Sequence, residues 1–328
     1  MKKAVSVLIV GMLILGLFAG CSDDGATDKG SGEKIYRIGV VQPMDHPSLN
    51  QIRDTIEEEL NDLGYEGKVE LVFENANGDM SLLPTIMQEL INSQVDMIVP
   101  IATPSAQAAA ATTETIPIVF SAVSNPVEAG LVTSFENTDK NITGVSNSIA
   151  IEDIFELAGV LTPEVETFGF IYNSSEINSS VGIERAKAYC EANGIPYREA
   201  TITGTADLQQ VASSLVGSVD AFFTPNDNTV ASAMATYMQV AMEAKIPTYV
   251  GADSMVADGG LATVGIDYTV LGRQTAAMIA RIMDGEDINE NPVEQIAEYA
   301  NMINVKTAEA LGVTIPESLK EDFVLIGE

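Results

Sequence analysis

The sequence predicts an α/β protein built as two doubly wound parallel-sheet lobes. Three observations lead there. From residue 35 onward, short apolar runs rich in Val and Ile alternate with segments of helical periodicity, the pattern of strands and crossover helices on parallel sheets. A weak internal repeat relates the two halves: Asp96-Met-Ile-Val-Pro-Ile-Ala-Thr-Pro, an Ala-rich helix and Ile116-Pro-Ile-Val-Phe-Ser-Ala parallel Asp220-Ala-Phe-Phe-Thr-Pro, a second Ala-rich helix and Ile246-Pro-Thr-Tyr-Val-Gly-Ala. The chain length, 328 residues, is that of about two domains.

The elements follow in order. A strand over 35–42 precedes a helix that Ser48 and Gln51 open as a capping box, with Ile52, Ile56, Leu60 and Leu63 on one face and Gly64 as its stop. A strand over 69–74 leads to a helix over 81–93 that turns Leu83, Met87, Leu90 and Ile91 inward and carries Pro84 in its first turn. Next come a strand over 95–101, a helix over 105–114 and a strand over 116–122. The pattern restarts with helix 151–161, strand 167–172, helix 181–193, strand 197–202, helix 207–216, strand 219–224, helix 227–244 and strand 247–252. A last helix begins at Tyr268, with Leu271, Thr275, Met278 and Ile282 along one side.

What precedes residue 35 has a different texture. Met1-Lys2-Lys3 is a positive head, residues 4–19 are an almost wholly apolar run, and the run ends in Phe18-Ala19-Gly20-Cys21. Small residues before a cysteine predict a lipoprotein leader over 1–20, with Cys21 lipidated as the mature N-terminus. A plain membrane-spanning helix is the alternative for a run of this length. Residues 21–34 are rich in Gly, Ser and Asp, cannot bury a core, and read as a flexible tether.

Composition narrows the function. With 16 Lys+Arg against 47 Asp+Glu the formal charge is −31, which would repel a phosphate backbone, so nucleic acid is a poor candidate and no nucleic-acid partner is expected. Such a surface keeps a protein soluble and monomeric. Two cysteines and one histidine give neither a disulfide framework, nor a Cys-based zinc site, nor a mechanism needing two imidazoles, and no metal or other cofactor is expected. Motifs for a serine-hydrolase elbow, a phosphate-binding loop, a dinucleotide fingerprint and a His-Glu-x-x-His zinc site are all lacking. Cys190, at helical spacing from Ala186, reads as a small core residue, and Glu57-Glu58-Glu59 as a solvated helix face. His46, between Asp45 and Pro47, is either a cleft-lining polar group or a loop residue that caps nearby backbone. Two strands end in Thr-Pro, at Thr103-Pro104 and Thr224-Pro225, and the next residues open helices; such strand ends are where open α/β sheets bind ligands.

Several of these segments together carry a resemblance. Val-Gln-Pro-Met-Asp-His-Pro-Ser-Leu-Asn (41–50), Ile-Ala-Thr-Pro-Ser-Ala-Gln (101–107), Pro-Ile-Val-Phe-Ser-Ala-Val (117–123), Asn-Ile-Thr-Gly-Val-Ser (141–146), Ile-Tyr-Asn-Ser-Ser-Glu (171–176), Pro-Asn-Asp-Asn-Thr-Val-Ala-Ser (225–232) and Gly-Ile-Asp-Tyr-Thr-Val-Leu-Gly-Arg-Gln (265–274) are similar to the ABC-transporter substrate-binding lipoproteins associated with aromatic amino acid uptake. Asn125-Pro126 and Asn226 depart from that family, which more often has Asp-Pro and Thr there. The resemblance implies a type I periplasmic-binding-protein fold with three hinge crossovers. Its N-terminal lobe would be residues 35–145 and 266–293, its C-terminal lobe 146–265 and 294–328, with crossovers near 143–147, 265–267 and 291–294. It also implies capture of an aromatic L-amino acid outside the membrane and delivery to an ABC permease with its ATPase, without catalysis. Two other classes remain: a surface interaction protein or adhesin on the same fold, and an enzyme using Asp227 or Asp253.

For an amino acid zwitterion, the carboxylate needs donors and the ammonium an anionic acceptor, because burying either unpaired is costly. Thr103 and Ser105 at a helix N-terminus, with Ser121 on the neighbouring strand, are the expected carboxylate site. Asp253, in preference to Asp227, is the expected ammonium acceptor, with Asn173, Ser174, Ser175, Asn228 and Asp267 as further polar contacts. Strand-end residues Gln42, Tyr172 and Thr224, and loop residues His46 and Asn125, complete the candidate lining. The leader has its own test: Cys21→Ser is expected to release the protein from membranes or leave an unprocessed precursor on fractionation, and a mutant still processed at the same place and membrane-bound would refute lipidation.

Overall fold

The computed structural model describes residues 34–327 apart from 137 and 139; the expected leader, Cys21 and all of the tether but Lys34 lie outside the described residues. Two sheets organise the chain from Ile35. In the first half, β1 (Tyr36–Gln42), β2 (Val69–Asn75), β3 (Met97–Pro100), β4 (Ile118–Val123) and β5 (Ile142–Ser146) alternate with α1 (Pro47–Leu60), α2 (Leu83–Asn92) and α3 (Thr103–Thr112). The second half runs α4 (Ile151–Leu161), β6 (Phe168–Asn173), α5 (Ile177–Asn193), β7 (Tyr197–Ile202), α6 (Leu208–Leu215), β8 (Ala221–Thr224), α7 (Asn228–Ala231), α8 (Met234–Ala244), β9 (Thr248–Val250), α9 (Asp253–Ala257) and β10 (Ala262–Ile266). Then follow α10 (Tyr268–Met283), β11 (Glu294–Gln295), β12 (Tyr299–Asn304), α11 (Val305–Leu311), α12 (Glu317–Lys320) and β13 (Val324–Ile326).

The first sheet is parallel throughout, in the order β11-β5-β4-β3-β1-β2. Its inner strands β3, β4 and β5 are buried along their whole length, as a sheet with helices on both faces requires. The second sheet, β13-β12-β10-β9-β8-β6-β7, is parallel except where β12 meets β10 antiparallel. Phe155, Phe168, Phe170 and Phe223 pack edge-on or tilted at its centre, with Tyr189 stacked on Phe155.

Three passages join the sheets. The chain leaves the first sheet after Ser146, leaves the second after Ile266, and returns to it between Gln295 and Tyr299. Ser146 and Gln295 pair with each other in the first sheet, and Ile266 pairs with Tyr299 in the second.

Local chemistry explains where other elements depart from expectation. Helix α1 starts two residues early, on Pro47 with His46 as its N-cap, and the capping box does not form: Ser48 is bonded to Ser254 and Gln51 to Thr269. Gly64, at φ +90°, ends the widened last turn as expected. The helix expected over 227–244 breaks into α7 and α8 at Ala233, which has φ −127°. Helix α9 was not expected.

Helices α1 and α10 lie against each other, and α10 also covers β4 and β5. Gly272 sets that spacing: a Cβ there would stand 2.7 Å from Thr55 Cβ and 3.2 Å from the Ile52 carbonyl oxygen, neither of which can swing away. Gly159, on the exposed side of α4, has nothing within 4 Å. Opposite effects of one chemical change follow. Gly159→Ala is expected to stabilise by about 0.5–1 kcal/mol through helix propensity. Gly272→Ala gains the same propensity but overpacks the interface by about 1–3 kcal/mol, and is expected to lower the Tm by roughly 2–4 °C. Thermal melts of the two variants check the sign.

Candidate functional site

The C-terminal ends of the strands of both lobes converge on one cleft. From the first lobe come the loop after β1 with Met44, Asp45 and His46, the start of α1 with Ser48 and Leu49, and Ala122 and Ser124 after β4. From the second come the loop after β6 with Ser175 and Glu176, Asn178 at the start of α5, and Asn226, Asp227 and Asn228 after β8. Asn147 and Tyr268 stand beside two of the crossovers. The lobes touch through polar pairs: His46 Nε2 with Asn228 Oδ1 at 3.3 Å, Asn226 Nδ2 donating to Ser124 Oγ at 2.8 Å, and Ser48 with Ser254. Behind these contacts the free space is only about 10 Å³, less than a single-ring ligand needs. Beside them lies a cavity of about 740 Å³ walled by Met44, Met80, Pro104, Ile177, Asp45 and Glu176, within the usual size range of small-molecule sites of about 300–1,000 Å³.

Two buried carboxylates dominate this cleft. Glu176 is 3% and Asp227 1% exposed. Asp227 caps α7, accepting the Val230 N–H at 2.8 Å, and also accepts the Asn173 N–H at 2.6 Å. Glu176 accepts from the backbone and side chain of both Asn228 and Thr229 and from the Asn178 amide. Every one of these donors is neutral, and no lysine or arginine lines the cleft among the described residues. Burial, and then the neighbouring Glu176 charge, push the Asp227 carboxyl well above the usual carboxylate range.

Unpaired polar atoms mark the same region. Asn228 Nδ2 donates to Glu176, so its Oδ1 is the acceptor that faces His46 Nε2–H. The His46 ring is neutral, burial holding its pKa down to about 4, and its Nδ1 lone pair therefore lacks a donor. Asn178 Oδ1 and Gln42 Oε1 are likewise buried acceptors without a donor. On the other wall, the Thr103 and Ser105 hydroxyls at the N-terminus of α3 are buried and unpartnered. The residues leading into that wall, Ala102 and Ala122, hold φ of +70° and +59°, a left-handed conformation that costs about 1 kcal/mol or more for a residue with a Cβ.

The structure brings together some of the residues singled out from sequence and separates others. His46, Asp227 and Asn228 line the narrow part of the cleft, and Asn173 and Ser175 the wide part. Gln42 lies beneath the β1 loop, its amide bonded to Met44 O, Asp45 and Asn50. Thr103 and Ser105 sit just behind Pro104, which reaches the cavity. Ser121 is turned away, bonded to Thr275 of α10 at 2.8 Å, because its position on β4 faces the helix layer. Thr224 bonds inward to Ile171 O, Tyr172 to Glu199, and Asn125 caps its own turn at Glu128 N–H. Ser174 is exposed, and its backbone N–H bonds to Ile202 O. Asp267 is the N-cap of α10, accepting from Thr269 and Val270. Asp253 borders neither space; its carboxylate accepts the Ser254 N–H, and burial plus the Asp267 charge raise its pKa to about 6. Glu176 was not singled out, although it closes the segment Ile-Tyr-Asn-Ser-Ser-Glu at the end of β6. Its place at a strand end beside Asn173 was the available signal.

Comparison with known proteins agrees with this architecture. Residues 37–323 match the family described as ABC transporter substrate binding protein. A tyrosine-binding protein of Clostridioides difficile is 35% identical over 318 residues, 94% of this chain and 92% of the relative. Among solved structures, an ABC domain in complex with L-Trp from Streptococcus pneumoniae is 36% identical with a TM-score of 0.86, covering 89% of this chain and 99% of that one. A ligand-free, open structure of a substrate binding protein with adhesive properties from Clostridium difficile is 35% identical over the same shares, with a lower TM-score of 0.69. The lobes here are thus arranged more as in the L-Trp complex than as in the open form. A two-lobed α/β fold, a cleft at the strand ends and a match over nearly the whole described chain agree, and the chain belongs to the ABC transporter substrate binding protein family.

Proposed function

We propose that this protein captures an aromatic L-amino acid in the cleft and releases it to an ABC permease and its ATPase, acting by binding and not by turnover. The observation that carries the ligand class is the buried Glu176 and Asp227 pair: two carboxylates given only neutral donors, in a cleft shared by two lobes, call for a cation, and an ammonium supplies one. The ammonium sits at this pair, with His46 Nδ1 and Asn178 Oδ1 as further acceptors, and Asp253 is set aside. The carboxylate faces the N-terminus of α3, where Thr103 and Ser105 have hydroxyls to give. The aromatic ring occupies the space bounded by Met44, Met80, Pro104 and Ile177. The tyrosine-binding relative and the L-Trp complex, both at about one-third identity, support the ring. The lobes act as a closing pair on three hinges, in a monomer held outside the cytoplasmic membrane through lipid on Cys21. The relative with adhesive properties supports a second role at the cell surface, which transport does not exclude. Binding of the ligand-free protein to host-cell or matrix proteins tests that role.

Ligand at about 100 times its Kd stabilises the folded state by roughly 2.7 kcal/mol. L-Tyr, L-Trp or L-Phe is expected to raise the Tm by several degrees, and sugars and nucleosides to leave it unchanged. A response to a sugar alone would overturn the ligand class.

Asp227 provides the second test. Its folded pKa is raised, so the stability it contributes is full below the unfolded carboxylate range and is lost as pH rises through the folded value. Asp227→Asn is therefore expected to flatten the pH dependence of the ligand-free protein's stability between pH 4 and pH 8, while its amide NH2, facing one of the Asn173 and Val230 N–H donors, lowers the stability at both ends. The same variant loses a charge-assisted contact and is expected to bind ligand about 10- to 150-fold more weakly. Melts across pH, paired with calorimetry, separate the two effects.

A further inference from the structure

We infer that Arg185 is a positioning residue of the hinge: together with Tyr299 it clasps the first crossover to the second lobe, so that the chain between the lobes bends at Asn147. This rests on the closing motion proposed above. The first crossover is bonded to the first lobe as far as Asn147. Ser146 pairs with Gln295, the Asn147 N–H donates to Val123 O at 3.3 Å, and Asn147 Oδ1 accepts from Ser124 Oγ at 3.2 Å. The Asn147 carbonyl already faces the other way, accepting from Asn226 Nδ2 at 3.5 Å. From Ser148 onward the bonds belong to the second lobe. Arg185, on α5, donates from Nη1 to Ile149 O at 3.0 Å and to Ser148 Oγ at 3.4 Å, and from Nη2 to Glu152 of α4 at 2.8 Å. The Tyr299 hydroxyl, at the start of β12, donates to Ser148 O at 3.0 Å.

The third crossover is divided in the same way. The Ile296 N–H donates to Ser146 O and the Ala297 N–H to Gln274 Oε1 of α10, both at 2.9 Å, whereas Tyr299 pairs with Ile266 in the second sheet, which leaves Glu298 between them. The second crossover changes lobes between Ile266, in β10, and Asp267, whose carboxylate caps α10. Tyr299 thus ties the first crossover to the third and, through Ile266, to the end of the second. Arg185 adds direction rather than stability. Its ion pair with Glu152 stands at the surface, the two side chains 39% and 48% exposed, where such pairs are worth little. The rigid guanidinium fork, however, sets two consecutive residues, Ser148 and Ile149, against the layer of α4 and α5. Asn147, which lines the cleft between Ser124 and Asn226, is aimed by that anchor. Without it the bend spreads into 148–150, and closing no longer brings Ser124 and Asn226 into register.

Two variants test this: Arg185→Met, which keeps the aliphatic stem, and Tyr299→Phe, which removes a single hydroxyl. Hydrogen exchange of the ligand-free protein, read by mass spectrometry, is expected to run at least about threefold faster over 147–155 in both, with β1 and β8 unchanged. In stopped-flow binding, L-tyrosine or L-tryptophan is expected to leave both variants about three- to tenfold faster than wild type, with the association rate within about twofold. Exchange over 147–155 less than threefold faster in either variant, acceleration shared equally by β1 and β8 in Tyr299→Phe, or an unchanged dissociation rate would overturn the inference. If wild type binds neither amino acid the proposed function fails on its own account, and the exchange result alone decides whether Arg185 and Tyr299 hold the crossover.

Discussion

Two carboxylates buried side by side without a cation are the constraint around which the cleft is built. A buried ionised carboxyl costs several kcal/mol unless its oxygens are satisfied. The second lobe supplies the donors by bringing two strand ends together. Because β6 and β8 are neighbours in the sheet, the Asn173 N–H at the end of one strand reaches Asp227 after the other, and Glu176 reaches back to the amides of Asn228 and Thr229 at the opening of α7. Helix α7 is short and breaks at Ala233, which lets its first turn serve as an anion cradle while α8 takes a separate course. Neutral dipoles orient the charges without cancelling them, which is the ground for the cation proposed at this wall.

The first lobe meets this acidic wall through polar pairs. His46 meets Asn228, Ser124 meets Asn226 and Ser48 meets Ser254, all polar and all at the strand ends. Each such bond contributes only about 0.5–1.5 kcal/mol net. A modest difference in ligand affinity between open and closed forms is then enough to shift the population. The three crossovers make such movement possible, since the chain passes between the sheets only beside Ser146, Ile266 and Gln295. Tyr268, fully buried at the start of α10, lies at one of these passages and also lines the cleft, which ties the state of the site to the position of the hinge.

Much of this was legible in the sequence. Strands buried on both faces read as continuous apolar runs, so β1, β3, β4, β6 and β8 declared themselves, and Gly64 marked the end of α1. Short elements with weak patterns did not: α9 spans five residues, and β10 carries a glycine among its five. The Ser48 and Gln51 pair had the spacing of a capping box, but tertiary partners on α9 and α10 claimed both side chains. The same competition divides the site. Ser121 and Thr224 stand on strands near the cleft, yet each faces a packed layer, a choice that period-2 alternation leaves open when both faces are buried. Asp253 looked suitable because it follows a strand, and so does Asp227. The pairing of β6 with β8 gives Asp227 a carboxylate neighbour that lies 51 positions earlier in sequence, whereas the neighbour of Asp253 is Asp267.

The first lobe contributes strain where the second contributes charge. Ala102 and Ala122 both take left-handed backbone at the ends of β3 and β4, positions where glycine would be relaxed. Each redirects the chain sharply off its strand: Ala102 remains tied to Ser121 O by its own N–H while the next residue opens α3, and Ala122 precedes the turn that presents Ser124 to Asn226. Glycine at either place would remove the strain but widen the range of directions the following residues could take, and with it the aim of the α3 N-terminus and of Ser124. Ligand binding can offset the charge on the second lobe, since a cation neutralises it directly. The backbone strain on the first lobe stands instead on β3 and β4, which are buried along their whole length. The two walls therefore differ in kind: the first holds left-handed backbone at two strand ends, and the second buries two carboxylates among neutral donors.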